Sequence, residues 1–181
     1  MYGGVFMEIR ILQPQEQAAI YAEAYKLLAA ADEEFVPPLS ARNSTTQQNL
    51  TETVKGDSIA QYFDQLKQQR FAAVFDEGQL IGFVSYRENY TCPEISPETL
   101  PNIYLSTLVV SPRARGKGVT TALYGKLFSE YERVNIFTRT WSTNFAHIKI
   151  LEKYGFVLIC TLKNHRGPGI DTVYFQKTAK Q

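Results

Sequence analysis

Cysteine and histidine are scarce in this chain: its 181 residues hold two of each, Cys92 and Cys160, His147 and His165. Two cysteines make no disulfide framework, and at these spacings the four side chains compose no plausible zinc site. A surplus of one charge is also missing. The 19 Lys and Arg residues against 18 Asp and Glu leave +1 at pH 7, which argues against a nucleic-acid partner or an acidic membrane surface. No run of about 18 apolar residues exists to span a bilayer. Residues 1–6 have neither the basic start nor the apolar centre of a signal peptide, so the cytoplasm is the expected location. There is no internal repeat and no low-complexity linker. What is present is 44% hydrophobic residues, ordinary for a globular chain and enough at this length for one sizeable core. The expectation is one domain over residues 1–181, with residues 1–6 disordered or extra at its start.

Hydrophobic patterning gives alternating elements. Residues 7–12 alternate like a strand, and residues 16–31 carry Ala, Leu, Glu and Lys at helical spacing. Residues 32–57 are polar, include Pro37 and Pro38, and read as a loop with a short helical piece. A helix over 58–69 capped by Ser58 and a hairpin of 71–75 with 80–88 follow. Prolines 93, 97 and 101 make 90–101 a loop. Then come a buried strand over 103–110, a helix over 119–132, a strand over 134–141, a helix after Asn144, and a last strand pair, 156–163 and 172–177.

The densest chemistry lies between Leu105 and Tyr124, where an apolar strand meets a basic, glycine-bearing turn and then a helix. A helix start offers unpaired N–H groups and the positive end of a dipole. Here those groups belong to Val119 and Thr120. Gly116 and Gly118 let a phosphate approach closely, and Arg113, Arg115 and Lys117 add cationic donors. The segment reads as a socket for a phosphate-bearing cofactor. It is not a P-loop, since no Gly-x-x-x-x-Gly-Lys-Ser/Thr occurs. Nor is it a dinucleotide fingerprint, because Thr121 holds the third glycine position.

Arg113-x-x-Gly116-x-Gly118 matches the Gln/Arg-x-x-Gly-x-Gly/Ala signature of the GNAT-type N-acetyltransferases. Downstream, Asn144 opens a helix that closes on Gly155-Phe156, similar to the second cofactor segment of that superfamily. The chain thus resembles a GNAT enzyme, with the specific motifs confined to residues 105–156. The resemblance implies an α/β (α+β) fold: a mixed central sheet of about seven strands flanked by about four helices. It implies an acyltransferase that uses acetyl-coenzyme A as co-substrate and moves the acetyl group to a primary amine by direct attack in a ternary complex. The alternative is an acetyl-coenzyme A sensor or inactive relative. A small-molecule or peptide amine would be the partner, and a homodimer is the oligomer the family favours.

Residue by residue, the resemblance places Arg113, Arg115, Gly116, Lys117, Gly118, Val119 and Thr120 at the diphosphate. Asn144 reaches the cofactor arm, unless it serves only as a helix cap. Leu108, Val109 and Val110 act through their backbone, in a bulge that frees N–H groups for the pantetheine arm and the thioester carbonyl. Their side chains can pack in the core at the same time. No metal is implied.

Catalytic side chains are not assigned. The usual family tyrosine falls on Leu151, and Tyr154 lies about one turn further on. Tyr104, Ser106, Thr107 and Glu88 are candidates to orient a water as base. For the acceptor, the acidic run Asp32–Glu34 is expected to attract a cationic amine. Tyr90, Trp141, His165 and Tyr174 are candidate aromatic and polar walls.

Overall fold

The computed structural model describes residues 7–51 and 58–181. The expectations for residues 1–6 and for the Ser58 side chain as a cap lie outside what is described. Seven strands form one sheet: β1 (Met7–Ile11), β2 (Arg70–Asp76), β3 (Gln79–Glu88), β4 (Asn102–Val110), β5 (Asn135–Trp141), β6 (Val157–Leu162) and β7 (Thr172–Lys177), in the order β1-β2-β3-β4-β5-β7-β6. Every pairing is antiparallel except β4 with β5. The parallel pair requires a crossover, and the helix α4 (Val119–Glu130) supplies it. The mixed sheet matches the expected architecture.

Two hydrophobic layers cover the sheet. On one face α4 and α5 (Phe145–Lys153) pack Leu123, Leu127, Phe128 and Leu151 against Val84, Leu105 and Ile136. On the other, α1 (Pro14–Ala19), α2 (Tyr21–Ala30) and α3 (Ser58–Leu66) bury Leu28, Tyr62 and Leu66 with Phe71, Phe83 and Val109. A third cluster of Ile95, Tyr104, Phe137 and Tyr174 lies beneath the loop between β3 and β4.

The helix expected over 16–31 is two helices, which makes five rather than about four. Pro14 opens α1 at its first turn, where a missing N–H costs nothing. The chain then turns at Ile20, because Gln17 is tied across to the next layer. Its Nε2 donates to Gln69 O (2.7 Å) and its Oε1 accepts from Phe71 N (3.1 Å). The segment after α2 contains two single-turn helices, Asp32–Glu34 and Leu39–Ala41.

Helix α5 ends as its sequence implies. Gly155 is left-handed (φ 79°), its N–H donates to Glu152 O (2.9 Å), and Phe156 N donates to Leu151 O (3.1 Å). That pair of bonds is a Schellman stop. Among the described residues no helix is long and apolar enough to cross a membrane.

Candidate functional site

The site begins with a break in the β4–β5 ladder. Paired residues run from Asn102↔Asn135 to Leu105↔Thr138 and stop there. Past that point β4 continues to Val110 along β3, and β5 continues to Trp141 along β7. The two strands therefore splay, and each presents an unpaired backbone edge to the gap. A cavity of about 560 Å³ occupies the splay, within the range of small-ligand sites.

The direction of the free N–H groups follows from strand geometry. Ser111 N donates to Ile81 O (2.8 Å), so at that position the N–H faces β3. Successive residues of a strand alternate, so the N–H groups of Val110 and Leu108 face the gap, while that of Val109 faces β3. The Arg115 guanidinium, bonded to Val110 O (3.2 and 3.3 Å), reaches the same edge.

The expected bulge exists but lies upstream of Leu108–Val110. Ser85 pairs with Thr107 and Tyr86 with Leu105, which leaves Ser106 as the extra residue. The reason is apolar phase. Ile103 and Leu105 face α4, and so do Leu108 and Val110. An odd spacing of three between Leu105 and Leu108 needs one inserted residue to keep both on that face. The same shift turns Thr107 to the other face, where its Oγ1 lies 2.7 Å from Tyr62 Oη. Ser106 lines the cavity, and its buried Oγ has no hydrogen-bond partner.

At one end of the cavity is the turn between β4 and α4. Gly116 and Gly118 both adopt positive φ (71° and 76°), a conformation costly for residues with a Cβ. Gly118 caps α4. The first intrahelical bond is Ala122 N to Gly118 O (2.9 Å), so Val119, Thr120 and Thr121 keep free helix-start N–H groups. A Cβ built on either glycine meets no atom within 4 Å, which leaves open space above the turn.

Most of the residues expected at the cofactor gather here. Leu108, Val109, Val110, Arg115, Gly116, Gly118, Val119, Thr120 and Asn144 line the cavity. Arg113 and Lys117 do not. They border a smaller groove beside Asp76 and Glu77, and Arg113 Nη2 donates to Gln79 Oε1 (2.8 Å). The single-turn helix Pro112–Ala114 directs Arg113 outward toward β3. Asn144 caps α5: its Oδ1 accepts from His147 N (3.4 Å), and its Nδ2 donates to Thr140 Oγ1 (3.0 Å).

The candidates for proton transfer fare differently. Leu151 is fully buried in the core. Tyr154 does not line the cavity, because its hydroxyl donates to Thr121 O on α4. Glu88 accepts from Tyr131 Oη (3.0 Å) and lies outside the cavity lining. Ser106 and Thr107 line the cavity; Tyr104 is buried away from it.

Sequence reasoning missed a pair. Tyr124 on α4 and His147 on α5 both line the cavity, with Tyr124 Oη 2.8 Å from His147 Nε2. Burial lowers the His147 pKa to about 4 and raises that of Tyr124, so both are neutral at pH 7. The only cue was that both fall within the first two turns of the helices that follow the two motif segments.

On the acceptor side, Glu34, Phe35 and Trp141 line the cavity, whereas Tyr90, His165 and Tyr174 do not. Tyr90 packs on Tyr104 (ring centroids 4.6 Å apart), and His165 bonds Thr172 Oγ1 (2.8 Å) and the Gln48 carbonyl. Two residues of the acidic run already have partners. Glu34 pairs with Arg115 (2.8 Å), and Asp32 Oδ1 accepts from Ser40 N (2.8 Å).

No curated protein matches the chain significantly in sequence. Solved structures share its fold. A ribosomal-protein-alanine N-acetyltransferase from Brucella melitensis is 21% identical (TM-score 0.64, covering 94% of this chain and 99% of that one). An N-acetyltransferase from Staphylococcus aureus Mu50 is 19% identical (TM-score 0.61, 96% and 99%). The Salmonella typhimurium protein yncA, solved with its cofactor acetyl-CoA, is 15% identical (TM-score 0.61, 97% and 95%). A profile of the acetyltransferase (GNAT) family matches residues 28–156, which span the splay, the glycine turn and the Asn144 helix. The chain belongs to the GNAT family of acetyltransferases.

Proposed function

We propose that the protein is an acetyl-CoA-dependent N-acetyltransferase that acylates a primary amine by direct attack while both substrates are bound. The single observation that carries this is the splay of β4 from β5, which opens on the left-handed glycine turn at the start of α4. Acetyl-CoA supplies an activated acyl group as a thioester. The residues present fit it: two free strand edges would hold its extended arm, and the N–H groups of Val119 and Thr120, with Gly116 and Gly118 beside them, would receive its diphosphate.

The Val110 and Leu108 N–H groups face the gap, where one of them would donate to the carbonyl oxygen as negative charge develops. Of the cations, Arg115 lines the cavity, whereas Arg113 and Lys117 border the outer groove. Asn144 caps α5 and offers its amide to the arm. Holding amine and thioester together removes most of the entropy cost of their encounter.

Titratable side chains lining the cavity are Glu34, Arg115, Tyr124, Arg139 and His147. Glu34 and Arg115 neutralise each other, and Arg139 keeps its proton. The Tyr124–His147 pair is then the proton route to the departing sulfur. With the His147 proton on Nε2, the imidazole donates to Tyr124 Oη, and the phenolic hydrogen is free to point into the cavity. This pair favours an active enzyme over a sensor.

The test is thiol release from acetyl-CoA in the presence of a library of primary amines. Amine-dependent release with a matching N-acetyl product is the expected result. Tight acetyl-CoA binding with no turnover on any amine would favour the sensor.

A further inference from the structure

Among the described residues, three arginines lie beside the cavity without forming an ion pair, and only Asp32 is close enough to Arg42 to act on its charge. Arg42, after the Leu39–Ala41 turn, and Arg166, in the β6–β7 loop, are each 7% exposed. Arg139 lies on β5 and lines the cavity. Their partners are neutral. Arg42 donates to Pro37 O (2.8 and 3.1 Å), Arg166 to Thr172 Oγ1 (2.9 Å) and the Val36 carbonyl, and Arg139 to Tyr174 Oη (3.2 Å) and Gln47 O (2.8 Å).

The three share one field. Burial, with Arg42 and Arg139 adding to it, lowers the pKa of Arg166 to about 9; burial and Arg139 lower that of Arg42, opposed in part by Tyr62, Tyr104 and Asp32. For Arg139 burial works in the same sense but is outweighed by the phenols of Tyr104, Tyr174 and Tyr90. All three remain charged at neutral pH. The aromatic wall of the cavity joins them. The Arg166 guanidinium lies 5.8 Å from the Trp141 ring, that of Arg42 5.8 Å from the Phe35 ring, and the two rings are 5.9 Å apart. Holding loops to carbonyls and hydroxyls needs only neutral donors. Three like charges out of water are costly unless an opposite charge completes them.

Resting on the reading of the site as one of acetyl transfer to an amine, we propose that the acceptor amine also carries a carboxylate, which pairs with Arg139 while Arg42 and Arg166 keep the surroundings positive. A planar carboxylate matches the guanidinium fork. The expectation of a cationic acceptor drawn by Asp32–Glu34 gives way, since Asp32 and Glu34 already have partners.

Trp141 is the one tryptophan of the chain, so its emission reports this wall directly. The protein saturated with coenzyme A is titrated with N-acetylglycine and with N-acetylglycinamide, which lacks only the charge. The carboxylate is expected to change the emission saturably at concentrations at least about tenfold below those the amide requires. Arg139→Gln is expected to remove that preference. An equal response to both probes, or none to the carboxylate while coenzyme A binds, would overturn the inference and leave acetyl transfer standing. Failure of coenzyme A to bind the unmodified protein in parallel calorimetry would overturn the acetyl-transfer reading, and this inference with it.

Discussion

Tyr124 and His147 stand where the cavity passes between α4 and α5, and each makes a distinct demand on experiment. A coenzyme A thiol, with an ordinary pKa of about 8.5, leaves without strong assistance. A positioned general acid should therefore contribute toward the low end of its usual range. Tyr124→Phe keeps the packing and removes the hydroxyl. It is expected to lower kcat about a hundredfold with little change in KM for acetyl-CoA, measured by steady-state thiol release; an unchanged kcat would remove Tyr124 from the proton route. His147 also links stability to pH. The unfolded chain protonates this side chain near 6.5, whereas the folded one does so only near 4. Its neutral form is thus what the fold accepts, so the full contribution is present above about 6.5 and is lost as pH falls through that window. Between pH 7 and pH 5 the loss is about 2 kcal/mol. Urea unfolding at the two values should show that loss, and His147→Gln should lack it. His165, lowered by burial too, adds in the same direction and persists in the variant.

Elements impose a different kind of constraint, because the splay and the bulge belong to strands rather than to single side chains. Free N–H groups on β4 are expected at Leu108 and Val110, whereas the N–H of Val109 is held by β3. Residue-resolved hydrogen exchange should find Leu108 and Val110 fast in the free protein and slowed by acetyl-CoA, with Val109 slow in both. Uniform protection of all three before ligand is added would contradict the splay. Much at this scale was legible in the sequence. Strand β4, the glycine turn, α4 and the Asn144-to-Gly155 helix follow from apolar runs, turn chemistry and caps that act locally. The bulge was misplaced although its cue was present, since Leu105 and Leu108 cannot share a face without an extra residue between them. The break at Ile20 had no local cue. It depends on Gln17 reaching Gln69 and Phe71, a contact across the layers.

For the molecule as a whole, the order of elements carried the fold, because each crossover and hairpin left its own pattern. The cofactor side of the cavity was readable for the same reason: apart from Asn144 it is one continuous stretch of chain. The acceptor side was not. Arg42, Arg139 and Arg166 come from three distant segments and look in sequence like ordinary surface arginines, while Glu34 of the acidic run that invited a reading is paired with Arg115, far along the chain. Arg113 and Lys117, read as phosphate donors from their place in the glycine-bearing turn and its family signature, border the outer groove. The central claim, that the glycine turn at the head of α4 receives the diphosphate of acetyl-CoA, is tested most directly at Gly118. A Cβ there meets no atom within 4 Å, so the fold has room for a side chain, although a left-handed backbone (φ 76°) strains it. Calorimetric titration with acetyl-CoA, on protein first checked for an intact thermal transition, compares the unmodified chain with Gly118→Asp. The account predicts an affinity lower by at least about tenfold, as a carboxylate faces the diphosphate; equal affinity would contradict it.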